Sequence, residues 1–166
     1  MKKVVWSGLL AAAAMALCST PAFAQATATG SVTVTANVNA KAKLTLGAAS
    51  VTFNDADPDV TPLLTATGAV SVDVKARTAA ASTVSLTVQS DGDLDNGSAT
   101  IAINNLTWTV TGTNFVAGTM ATTAVTLASY TGGGNHTGSQ TYRLVNSWNY
   151  ATGTYTATIT YTLTAP

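Results

Sequence analysis

The sequence has no glutamate, one histidine and one cysteine, and only 8% of its residues are charged. Each scarcity removes a class of chemistry. The lone cysteine, Cys18, falls in an N-terminal leader read below as cleaved. That leaves no thiol for a disulfide, a thiolate metal site or a cysteine nucleophile. One histidine without cysteine or glutamate is too small a donor set for a zinc centre. His136 sits in Gly132-Gly-Gly-Asn-His-Thr-Gly138 and no G-x-S-x-G turn occurs, so the expectation is a solvated histidine at a loop tip rather than the base of a hydrolase triad. A glycosidase needs two carboxylates on facing elements, and the aspartates here lie in turn-like clusters. Beyond the leader, Lys41, Lys43, Lys75, Arg77 and Arg143 oppose seven aspartates, which leaves about two negative charges in excess. No run of basic residues marks a nucleic-acid-binding surface. The reading therefore assigns no catalytic residue, no enzyme activity and no cofactor, with calcium as the one candidate ion.

The leader is expected to be a secretory signal peptide spanning residues 1–24. Lys2 and Lys3 start it, an apolar run with four consecutive alanines follows, and Ala22-Phe-Ala24 forms a small-x-small cleavage site before Gln25. The apolar run is short for a membrane span. Leu17 precedes Cys18 where a lipoprotein signal requires a small residue. Residues 25–166 then form one exported domain, expected in the periplasm, at the cell surface or outside the cell.

What the chain does have is alternation. From Tyr155 to Leu163 every second residue is apolar (Tyr155, Ala157, Ile159, Tyr161, Leu163), with threonine between. Side chains on a strand alternate faces, so this run puts one face in a core and a threonine ladder outside. Ser31–Val38 alternates in the same way through Val32, Val34, Ala36 and Val38. Further strands are expected at 43–46, 51–53, 69–76, 83–89, 99–103, 106–111, 125–127 and 141–145. The runs 69–76 and 83–89 look like a hairpin, and Asn104-Asn105 like a tight turn between two strands. Trp108 is the expected central core aromatic. Strands this short, broken by turn residues and without a helical window, specify an all-β fold. The expected architecture is a single antiparallel Ig-like β-sandwich, with a jelly roll as the alternative.

Three constellations stand out as candidate sites. Asp55-Ala-Asp57-Pro-Asp59 and Asp91-Gly-Asp93-Leu-Asp95 hold six of the seven acids at alternate positions, a spacing that can wrap calcium with carboxylate oxygens. The second loop departs from the EF-hand pattern, since Asn96 stands where the turn glycine belongs and Ala102 where the closing glutamate belongs. Aspartate, asparagine and glycine are also what ordinary turns use. Trp148 and Tyr150 are candidates for stacking on a glycan, or else pack the corner before the final strand. Val32, Val34, Ala36 and Val38 are candidates for assembly.

Within the final third, Ala151-Thr-Gly-Thr-Tyr-Thr-Ala-Thr-Ile-Thr-Tyr-Thr-Leu163 resembles the closing strand of spore-coat-U-like proteins and archaic chaperone–usher pilins. Gly153 stands where pilin families often carry a glycine before that strand. The cysteine pair usual in those families has no counterpart, and Ala165 replaces their penultimate aromatic. Trp108-Thr-Val110 and Tyr161-Thr-Leu163 are similar, more loosely, to WxL cell-surface domains. The pilin-like resemblance implies self-association or pairing with other surface subunits. In it, Val32, Val34, Ala36 and Val38 would enter a neighbour as an added β-strand. The alternative is a monomeric carbohydrate- or calcium-binding module. Neither reading involves nucleic acid or a membrane span in the exported domain.

Overall fold

The computed structural model describes residues 26–166. The expected signal peptide, 1–24, lies outside the described residues, and no described helix is long and apolar enough to cross a membrane. The residues before Asn37 belong to a unit of their own, and the β-fold occupies the second unit, Asn37–Pro166.

The fold is an antiparallel all-β sandwich. Its strands are β1 (Lys41–Leu46), β2 (Leu63–Thr65), β3 (Val70–Arg77), β4 (Thr83–Ser90), β5 (Leu94–Asp95), β6 (Thr100–Ile101), β7 (Leu106–Thr111), β8 (Gly118–Thr119), β9 (Val125–Thr131), β10 (Gly134–Val145) and β11 (Ile159–Thr164). One sheet runs β1-β3-β10-β7-β8, with β2 paired to the far end of β10, and the facing sheet runs β11-β4-β9. A small β5–β6 ribbon stands apart. The core is the sum of the inward alternate positions. Val70, Val72 and Val74 of β3, Val84, Leu86 and Val88 of β4, Trp108, Leu127 and Tyr142 are all buried. Burying each valine or leucine stabilises the fold by about 1.5–3 kcal/mol. Threonine fills outward positions of β7 and β11, where its branched side chain suits a pleated surface.

Several expectations need correction. The runs around Val72 and Leu86 do not form a hairpin, because β3 pairs with β1 and β10 while β4 pairs with β9 and β11. Both strands bury one complete apolar row, and such rows can lie side by side in one sheet or face each other across a core, a choice that alternation alone does not make. Asn104-Asn105 is no hairpin turn. It closes a short 3-10 turn, Ile103–Asn105, that leads from the β5–β6 ribbon into β7. Val51–Phe53 forms no strand. The glycine-rich stretch around His136 is not a loop either. Gly132, at φ +78°, and Gly133 carry β9 directly into β10 in the other sheet. A Cβ on Gly133 would lie 3.0 Å from the Ala76 carbonyl oxygen.

Connections define two ends of the sandwich. At the first, β3 stops at Arg77, β4 starts at Thr83 and β10 starts at Gly134, with the Gly132 N–H bonded to the Ser82 carbonyl. At the second, Val145 pairs with Leu63 and the Asn146 N–H donates to the Pro62 carbonyl. There Asp91 and Thr158 also meet, their N–H groups donating to the Thr158 carbonyl and the Asp91 carboxylate respectively.

Candidate functional surfaces

The final strand begins later than the alternation suggests. Tyr155–Thr158 runs along the second aspartate loop, bridged at Thr156–Asp95, and β11 proper starts at Ile159. Among the described residues, β11 pairs only with β4, and on the same flank β1 pairs only with β3. The two approach each other without sharing a ladder, so each presents a free edge. The inward row of β11, Ile159, Tyr161 and Leu163, is only half-buried, whereas the equivalent row of β4 is fully buried. The opposite flank is closed: Phe115 bridges Ala128, and the Val116 N–H donates to the Leu127 carbonyl.

Among the described residues, the assembly candidates Val32, Val34, Ala36 and Val38 are in no strand. Val32 is 88% exposed, Val34 87% and Val38 66%, and Ala36 is exposed too. This corrects the expectation of a strand over 31–38. A strand exists only where a neighbour accepts its backbone hydrogen bonds, and this run has alternating apolar residues but no ladder partner.

Under β11 lies a polar group that the sequence reading missed. The Tyr142 and Tyr161 hydroxyls are 2.7 Å apart, and Tyr161 donates to Gln140 Oε1. This links β10 to β11 across the two sheets. Gln140 is completely buried and its Nε2 has no partner. Burial pushes the Tyr142 phenol far above its ordinary range, and the Tyr161 phenol upward as well. The available signal was period two: Gln140 shares a face with Tyr142 and Leu144, one step before the strand start expected at Thr141.

The six loop aspartates are all exposed and all lie at the second end. Most spend a carboxylate oxygen on backbone. Asp57 accepts from the Asp59 N–H, Asp91 from Thr158, Asp93 from Ile103 and Asp95 from Gly97. The Thr158 bond holds the Asp91 carboxyl below the usual range. Among the described residues no three acidic, histidine or cysteine side chains converge as an ion cage would require.

Trp148 is 68% exposed, and its indole N–H donates to Asp59 at 3.2 Å. Tyr150 is half-buried against the core, so the two aromatics do not present one open stacking face. His136 is not at a loop tip. It lies on β10, half-buried, with its ring 3.7 Å from that of Tyr130.

A scan against models of known protein families finds no match, and a search of curated protein sequences finds none either.

Proposed function

We propose that the chain is an exported, non-enzymatic structural or adhesive surface subunit of the fimbrial or coat kind, assembling by β-strand addition. One observation carries this reading. The sandwich leaves β11 with a free edge and a half-buried apolar row, while the exposed run from Val32 to Val38 has the alternation of a strand without a partner. Pairing that run with β11 of another copy would satisfy backbone groups on both and bury apolar residues at every second position. An unprotected edge is otherwise an aggregation hazard that folds avoid. The test is size-exclusion chromatography with light scattering. The intact chain should form concentration-dependent polymers, and deletion of residues 26–38 should leave monomers. A peptide of residues 26–40 should then stabilise the truncated sandwich, by about 2.7 kcal/mol at a hundredfold excess over its Kd. Polymers that survive the deletion would refute strand addition by this segment.

A second reading, a glycan-binding module, is favoured by Trp148 alone. An exposed indole held in place by Asp59 is a preformed stacking surface. Trp148→Ala should then abolish retention on immobilised glycans without lowering the melting temperature. Unchanged retention removes this reading.

A further inference from the structure

The charges of the sandwich are sorted between its ends. The β1–β3 ladder sets Lys41 directly opposite Arg77 and Lys43 directly opposite Lys75. Direct partners share a face, so four of the five basic residues beyond the leader form one exposed two-by-two array at and next to the first end. They line a shallow cavity of about 280 Å³. Among the described acidic side chains, Asp73 stands beside them, its carboxylate 3.6 Å from Lys75 Nζ. Like charges directly opposite on a sheet destabilise it, so this array costs the monomer stability. Six exposed aspartates occupy the second end, and the fifth cation, Arg143, is on β10 near that end.

We propose that the cationic array on β1 and β3 is a docking surface for the aspartate end of a second copy of this chain, giving head-to-tail association. Charge complementarity selects the occupant. The molecule carries at one end a surface opposite in sign to the array at the other. Such a contact is heterologous, so it leaves a free end on each copy and propagates into a file rather than closing as a dimer. Opposed patches of this kind act mainly on the rate of encounter and are screened by salt. The proposal does not rest on strand addition, because polymers held by strand exchange alone would form equally fast at low and high salt.

The test follows association of the intact chain by light scattering. The rate should fall about tenfold or more between roughly 20 mM and 500 mM salt. Lys41→Glu/Lys43→Glu should slow association similarly at low salt while raising the melting temperature, because two like-charge pairs become opposite pairs. Asp55→Lys/Asp59→Lys should also slow it. Neither carboxylate supports the backbone: Asp59 accepts only the Trp148 indole, and Asp55 accepts no bond. An equimolar mixture of the two variants, each with unchanged circular dichroism, should recover the wild-type rate by alternating. Failure of that mixture to recover, or a wild-type rate indifferent to salt, overturns the proposal. So does unchanged association accompanied by lost retention on dextran sulfate, which would assign the array to an anionic polymer instead.

Discussion

Trp108→Ala is expected to lower the unfolding free energy by about 3–5 kcal/mol. The indole is 2% exposed and donates to the Val116 carbonyl at 2.9 Å. Gly118 of β8 lies flat against it, so close that a Cβ there would sit 2.6 Å from the ring. Removing the ring therefore empties the core beneath β7 and strips the Val116 carbonyl of its donor. It also unseats the segment that closes one flank of the sandwich onto β9. A domain of this size has about 5–15 kcal/mol in all, so the variant should retain only a fraction of it. Urea unfolding should show a much lower midpoint with an unchanged slope. Trp148→Ala is the control, since an exposed side chain should change stability by no more than about 0.5 kcal/mol. Equal losses in both variants would contradict the burial of Trp108.

The second large effect is expected in alkali. Tyr142 and Tyr161 are held neutral in the fold by burial. In the unfolded chain they ionise near pH 10. Below that pH both states are protonated and the shift contributes nothing. Above it the unfolded state loses protons that the folded state keeps. Stability then falls by about 1.4 kcal/mol per pH unit for each tyrosine. Absorbance at 295 nm should show these two of the five tyrosines titrating only as the β-sheet circular dichroism collapses. Tyr142→Phe/Tyr161→Phe should flatten the decline. All tyrosines titrating freely near pH 10 with the sheet intact would show that the pair is not buried.

Much of the fold was legible because strand side chains alternate strictly. The rows through Val72 and Leu86, the place of Trp108 and the inward side of β11 follow from period two alone. The alternation identifies a strand's two faces, and it is silent about the neighbour on each edge. Hence Val32–Val38 and Ile159–Leu163 look alike in sequence, yet one lacks a partner and the other pairs with β4. Hence also β3 and β4, adjacent in the chain, have the pattern of a hairpin although they lie in opposite sheets. Gln140 is silent in the sequence because a polar residue at an inward position is recognisable only once its partners, Tyr142 and Tyr161, are brought to it from two strands.

The sequence by itself determined an all-β chain, the inward and outward faces of its long strands, and a short inventory of charged groups. The tertiary structure alone decided which edges stay unpaired and where those charges gather. Lys41 and Arg77 are distant in the chain and suggest no patch there, but an antiparallel ladder sets them side by side and sends both aspartate loops to the other end. Pairing partners and register depend on contacts between residues far apart in sequence, and local periodicity carries no information about them.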